Sequence, residues 1–276
     1  MTHYQSEQMA ITAAEFLKRS WKIDSSNQPE VGLILGTGWG EVLEFDQSSR
    51  HPFAVIPGFN KIVHLEGHAR EVVCGTLSGK RFVALRGRMH LNERPADPEL
   101  YAAARLQVEM LVKLGVKKFI LTCAAGSLVK SVGVGDIVLI DGFVTLFAPE
   151  MPLFAGEFCS PEDAIDLEWE KQIFNNDARN FPFKIASGGH VMVRGPFFEG
   201  RKYDKKFLAS TGAAVVGMSV LPEACVASLY EGVKVLPLAF ITNTAFEEHS
   251  HEENQRRAKE KAEHLGKFLG AIVERM

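Results

Sequence analysis

Short apolar runs closed by glycine set the rhythm of this chain. Val31-Gly-Leu-Ile-Leu35 stops in Gly36-Thr37-Gly38-Trp39-Gly40, and Lys118-Phe-Ile-Leu-Thr122 stops in Cys123-Ala124-Ala125-Gly126-Ser127. Unbroken apolar runs of this length are the pattern of strands buried on both faces. Gly135 to Asp141, Ala213 to Gly217 and Val233 to Thr242 repeat it. Glu71 to Leu77 and Lys80 to Leu85 are joined at Ser78-Gly79, which predicts a hairpin. Pro98 to Leu114 has its apolar residues at helical spacing (Leu100, Ala103, Ala104, Leu106, Leu111) and stops at Gly115. Further helices are expected over Lys202 to Ser210, Pro222 to Glu231 and His251 to Met276. Residues 150–185 have weak periodicity and several prolines, so a long functional loop or flap is expected there. Strands alternating with helices predict an α/β fold, and the hairpin makes its sheet mixed.

Composition narrows the function classes. The 276 residues carry 31 Lys+Arg and 34 Asp+Glu, for a net charge of −3, with 46% hydrophobic residues. That balance is too apolar for a disordered chain and offers no basic surface for nucleic acid. No apolar run approaches the roughly 20 residues of a membrane span. The four cysteines (Cys74, Cys123, Cys159, Cys225) are isolated, and Met1 to Ala10 is polar. Free thiols in a cytoplasmic protein are therefore expected.

In open α/β sheets, chemistry gathers where strands end. The Gly36–Gly40 loop offers backbone amides and the Thr37 hydroxyl to a phosphate, although alone it is an ordinary tight turn. It lacks the Lys-Ser/Thr ending of a P-loop and the sixth glycine of a dinucleotide fingerprint. Arg88 and His90 alternate on an extended segment and can converge on one anion. His64 and His68 flank a glycine and lack the carboxylate of a metalloprotease helix, so no metal site is expected. Glu199 and Asn243 can read the edge of a heterocycle, since Glu accepts and Asn both donates and accepts. Met218 and Ser219 precede a helix, where a thioether is ordinarily core and a serine an N-cap.

Taken together these segments resemble the trimeric purine nucleoside phosphorylase family, in order and at similar spacing over nearly the whole chain. The matching stretches are LILGTGWG (33–40), EGHA (66–69), GRMH (87–90), AAGSL (124–128), GPFFE (195–199), GMSVLPE (217–223), ITN (241–243) and HEE (251–253). The resemblance implies one phosphorylase domain over residues 1–276, with a central mixed, partly barrel-like β-sheet flanked by α-helices. It implies phosphorolysis, in which phosphate attacks the anomeric carbon of a purine nucleoside and releases base and pentose 1-phosphate. Inorganic phosphate is then the co-substrate, with no cofactor and no metal. By similarity, Thr37, His68, Arg88, His90, the Ala124 amide and Ser219 would bind phosphate. Phe198, Glu199, Thr242 and Asn243 would hold the purine, while Met218 and His251 would contact the sugar. Asn243, Glu199 and His90 are the expected catalytic residues. Asn rather than Asp at position 243 goes with 6-oxopurines such as inosine and guanosine.

The resemblance also implies a homo-oligomer, a trimer, in which an aromatic such as Phe158 closes a neighbour's sugar site. Four departures stand out. Thr37 replaces Ser, Asn92 replaces an aromatic sugar contact, Cys123 replaces Asn, and Gly200 replaces Thr. The alternatives are a methylthioadenosine or methylthioinosine phosphorylase, against which His251 argues, and a nucleoside-binding homologue impaired in turnover.

Overall fold

The computed structural model describes residues 2–40, 46–59, 70–177, 180–195, 197, 200, 202–246, 256 and 260–275. Helix α1 (His3–Trp21) opens on a capping box: Gln5 N donates to Thr2 Oγ1 at 3.2 Å, and Thr2 N donates to Gln5 Oε1 at 2.8 Å. Its inward stripe is Ala10, Ala13, Ala14 and Leu17, at the spacing of one helix face. Strands β1 (Val31–Leu35), β2 (Asp46–Pro52), β3 (Glu71–Leu77) and β4 (Lys80–Arg86) follow. The β3–β4 hairpin turns at Ser78 and Gly79 with φ of 50° and 79°, as its two-residue loop requires. Helix α2 (Pro98–Lys113) is capped by Asp97, whose carboxylate accepts from Glu99 N at 2.8 Å.

The remaining elements are β5 (Lys118–Ser127), β6 (Ile137–Val144), α3 (Leu167–Asp177), β7 (Ile185–Met192), α4 (Asp204–Ser210), β8 (Val215–Gly217), α5 (Leu221–Ser228), β9 (Lys234–Thr244) and α6 (Ala262–Glu274). The sheet order is β2-β3-β4-β1-β5-β8-β7-β6-β9, and β9 also pairs with β5. Five strands (β5, β8, β7, β6 and β9) therefore close into a ring, from which β1, β4, β3 and β2 extend as an open wing. This is the mixed, partly barrel-like sheet that the resemblance implies. Alternate side chains divide the wing between two cores. Ile34, Val83 and Leu85 face α1, α2 and α5, while Leu33, Leu35, Phe82 and Ala84 face α3 and α6.

Two expectations need correction. Strands β5 and β9 do not stop at Thr122 and Thr242; their parallel pairing carries them on to Ser127 and Thr244. The 150–185 stretch is not wholly a flap, because α3 lies within it and buries Trp169 and Ile173. Of the helix expected over His251 to Met276, the structure describes Ala262–Glu274, and residues 251–255 and 257–259 lie outside the described residues.

Candidate active site

Strands β1, β4, β5 and β9 run in one direction, so the loops after β1 and β4 arrive at the level of Thr122 and Cys123 while β5 runs on past them. Strand β8 is antiparallel to β5. Its carboxyl end, Gly217-Met218-Ser219, therefore returns to the same level from the opposite side. This geometry brings together residues that the chain holds far apart.

Close backbone approach builds the first wall. A side chain on Gly36 would place its Cβ 2.5 Å from the Thr122 carbonyl and 3.0 Å from the Arg88 guanidinium. Gly36 N donates to Thr122 Oγ1 at 3.1 Å, and the buried Trp39 indole donates to the Cys123 carbonyl at 3.1 Å. The loop is thereby anchored on both sides of Thr37, which stays half-buried at its tip. Cys123 itself is sealed in, and burial pushes its thiol up to about 12. It is a packing residue under the loop, not a nucleophile.

Arg88 turns inward. Its guanidinium pairs with Glu223 Oε1 at 2.9 Å, and both side chains are 2% exposed. The second terminal nitrogen donates to the Ile34 carbonyl at 3.3 Å and to the Thr122 carbonyl. Two atoms of the pair, Arg88 Nε and Glu223 Oε2, have no hydrogen-bond partner among the described residues although buried. His90 is half-buried two residues on; its amide donates to Glu93 Oε1 at 3.2 Å, and Glu93 Oε2 pairs with Arg70. Glu93 thus ties the His90 backbone to the residue that follows segment 60–69. His68 belongs to that segment and lies outside the described residues, as does His64.

The opposite wall comes from β9 and β8. Ala125 pairs with Ile241 but Gly126 pairs with Asn243, so a bulge inserts Thr242 as an extra residue. Bulges re-aim side chains. Here the Asn243 amide is turned toward Gly126, where a Cβ would stand 2.9 Å from Asn243 Nδ2. The Thr242 hydroxyl donates to Asn243 Oδ1 at 3.0 Å, which orients the amide with its NH2 as the presented donor. Both residues are buried. Beyond Gly217, the half-buried Met218 packs against the cluster containing Val191, Val193 and Val216, and the Ser219 side is held by a strained turn. Val220 has φ 77°, which a β-branched residue rarely adopts. That turn sets Ser219 at the start of α5, one turn ahead of Glu223. Ala124 lies inside β5, half-buried, opposite Phe240.

Asn92 has a role that its sequence position does not announce. Its Oδ1 accepts from Gly195 N at 3.2 Å, fastening the start of the 195–200 loop, where Gly195 has φ 67°. Phe198 and Glu199 in that loop, and His251 after β9, lie outside the described residues. At Gly200 a Cβ would stand 2.3 Å from the Asp204 carboxylate, so the loop here is shaped around the missing side chain. Phe158 is 94% exposed and its segment is pinned elsewhere. Arg105 donates to both oxygens of Glu157 (2.7 and 2.9 Å) and stacks on Phe154 at 4.4 Å.

Sequence reasoning missed His190 in β7 and Glu223 in α5. Glu223 was legible as part of GMSVLPE, whereas His190 sits in the unremarkable run Ser187-Gly-Gly-His190-Val-Met192 and had no signal of its own. Among the described residues, no three His, Cys, Asp or Glu side chains gather to hold a metal. No helix of the described residues is long and apolar enough to cross a membrane.

Residues 30–274 match the family profile described as the Phosphorylase superfamily. Purine nucleoside phosphorylase 1 of Geobacillus stearothermophilus is 30% identical over 276 residues, covering 96% of this chain and 96% of the relative. The purine nucleoside phosphorylase of Bos taurus is 30% identical over 271 residues, covering 92% and 91%. Among solved structures, isoform 2 of purine nucleoside phosphorylase from Schistosoma mansoni, in complex with cytosine and ribose 1-phosphate, superposes with a TM-score of 0.80. That likeness holds at 26% identity and covers 98% of this chain and 96% of the other.

Proposed function

Because the chain belongs to the purine nucleoside phosphorylase family of the phosphorylase superfamily and is a pentosyltransferase, we propose that it catalyses the reversible phosphorolysis of 6-oxopurine nucleosides, inosine and guanosine above all. The observation that carries this reading is the Asn243 amide, re-aimed by the β9 bulge and oriented by Thr242 so that its NH2 is the presented donor. A phosphate oxygen forms a bond to the anomeric carbon as the bond from that carbon to purine N9 breaks. The electron pair of the broken bond moves into the purine. A fixed amide donor at N7 meets that growing negative charge, and its orientation costs nothing at the moment of reaction because Thr242 has already set it. Glu199 takes the ring N–H of a 6-oxopurine in this reading. With its oxygen turned to Thr242, the Asn243 amide favours an acceptor on the purine over a 6-amino donor.

Phosphate takes its place between the Thr37 loop, the Ala124 amide, Ser219, His90, His68 and Arg88. The donors are mostly neutral, so a net charge of −3 does not oppose one small anion held in this way. Met218 packs below the sugar, and His251 meets its 5′-hydroxyl. Asn92 serves the sugar site indirectly, by holding the loop that carries Phe198 and Glu199. A homotrimer, with the exposed Phe158 covering a neighbour's sugar site, completes the reading.

The test measures free base from inosine, guanosine, adenosine and methylthioinosine, each with and without phosphate, for the wild type and Asn243→Ala. Inosine and guanosine are expected to lead. Loss of the amide donor is expected to lower kcat by about 10²–10³, the usual cost of one missing oxyanion donor, with an unchanged circular dichroism spectrum. Adenosine or methylthioinosine as the preferred substrate would overturn the 6-oxopurine assignment, and a fully active Asn243→Ala would overturn the role of the amide.

A further inference from the structure

Gln107 breaks the apolar pattern on the inward face of α2. Leu100, Ala103, Ala104, Gln107 and Leu111 recur at the spacing of a single helix face, where a buried position ordinarily holds an apolar side chain. Gln107 is nevertheless only 1% exposed. Burial costs a glutamine more side-chain freedom than it costs leucine, and both ends of the amide must then find partners. Both do. Gln107 Nε2 donates to the Ala104 carbonyl at 3.2 Å, one turn back in its own helix, which leaves Oε1 as the acceptor presented outward. That oxygen accepts from Met89 N at 2.7 Å.

Met89 stands between Arg88 and His90, where the chain has just left its sheet. Strand β4 ends at Arg86, and Gly87 N still reaches the Leu35 carbonyl at 3.1 Å. Arg88 and Met89 lie beyond the strand but stay buried. A buried backbone N–H outside a ladder must be satisfied by some other group. Gln107 serves the Met89 amide, as Glu93 serves that of His90. The Met89 side chain also enters the core that α2 shares, so this residue is fixed through backbone and side chain alike. Its peptide sets the point from which both neighbouring side chains depart.

We propose that Gln107 is a positioning residue of the phosphate site: its bond to the Met89 amide holds Arg88 and His90 at a fixed spacing toward one anion. This rests on the reading that Arg88 and His90 bind phosphate. Gln107 does not touch the reacting atoms. On the purine side, Thr242 and Asn243 are carried by β9 and hold one another, so the loss of Gln107 falls on phosphate rather than on nucleoside.

Three variants separate positioning from packing. Gln107→Met keeps an unbranched chain of similar length and removes both polar ends. Gln107→Glu keeps an acceptor oxygen at the same reach. Val108→Ala, one residue on and also fully buried, is the packing control. In steady-state kinetics, Gln107→Met is expected to raise the KM for phosphate about tenfold, the order that one hydrogen bond carries, while the KM for inosine stays within twofold. Gln107→Glu is expected to recover most of the loss. Val108→Ala is expected to lower Tm and leave both KM values within twofold. Hydrogen exchange at the Met89 amide of the wild type gives a readout even if Gln107→Met fails to fold. Opening this segment must release the anion, so Met89 protection is expected to rise with phosphate concentration. An unchanged phosphate KM or equal changes in both KM values in Gln107→Met would overturn the inference. So would no recovery with glutamate, a comparable rise in Val108→Ala, or Met89 protection indifferent to phosphate. Each of these leaves the phosphorylase reading intact. If the wild type neither binds phosphate nor needs it to release base, both fall.

Discussion

A single hydroxyl decides what Asn243 can do. An asparagine amide presents either an oxygen or an NH2 to a ligand, and the two orientations are nearly equal in shape. The Thr242 hydroxyl, donating to Asn243 Oδ1 at 3.0 Å, removes that ambiguity inside a buried environment where an unmade bond is costly. Thr242→Val keeps the shape and deletes the hydroxyl. It is expected to lower kcat/KM for inosine about tenfold and to narrow the gap between inosine and adenosine, because the amide can then rotate. Steady-state kinetics on both nucleosides check this, and an unchanged inosine-to-adenosine ratio would show that the orientation is held by something else. Arg88 and Cys123 show the reverse lesson. Both occupy positions that the sequence marks as chemical. The structure sets the cysteine under a loop and the arginine against Glu223, so their accessible chemistry is controlled by neighbours that no local motif reveals.

Among the elements, the glycines at and near the strand ends act less as stops than as places of close approach. Gly36 lets the β1 loop touch the β5 backbone, Gly126 leaves room for the Asn243 amide, and Gly217 leaves room for His190. Gly36→Ala would drive a methyl to 2.5 Å from the Thr122 carbonyl, a backbone atom that cannot step aside. A cost of about 1–3 kcal/mol is expected, read from the urea midpoint, with phosphate affinity reduced alongside because Thr37 rides on the same loop. A midpoint equal to the wild type would contradict the close packing of β1 on β5. The same glycines explain what the sequence could and could not tell. Apolar runs located β1, β3, β4 and β5, and Ser78-Gly79 located the hairpin, since these are local signals. The carboxyl ends of β5 and β9 were not legible, because parallel pairing between strands more than a hundred residues apart extends them past Thr122 and Thr242. Helix α1 escaped notice because its inward stripe is mostly alanine, and α3 because only Trp169 and Ile173 mark its buried face. The bulge at Thr242 has no local signature at all. The segments of the candidate site were readable as a set, through resemblance, whereas their convergence depends on β8 running back against β5.

The whole molecule joins the closed ring of strands to a segment that is held from outside the candidate site. Arg105 is the clasp: it binds Glu109 at 2.6 Å and Glu157 through two bonds, donates to the Pro152 carbonyl at 3.2 Å, and lies over Phe154. Ser6 of α1 and Tyr230 complete it through Glu109, each at 2.8 Å. Burial alone would raise the Glu157 carboxyl, but the bonds from Arg105 and the Phe154 amide outweigh it, so the group sits below its ordinary value. A carboxylate depressed in the folded state adds stability above its unfolded value of 4.5 and loses it as pH falls through the lower folded value. Glu157→Gln is therefore expected to lower Tm at neutral pH and to weaken the dependence of Tm on pH in the acid range below about 4.5. A parallel downward shift at every pH would show that the clasp contributes packing but no charge linkage.

The central claim is that phosphate, and not water, is the nucleophile at these strand ends. Incubation of the protein with inosine and inorganic phosphate, followed by 31P NMR, addresses it directly. The expected result is a sugar 1-phosphate resonance growing as the inorganic phosphate signal falls, with one equivalent of hypoxanthine released per phosphate consumed and no base released when phosphate is left out. Hypoxanthine appearing without phosphate, or bound nucleoside with no change in either signal, would contradict it.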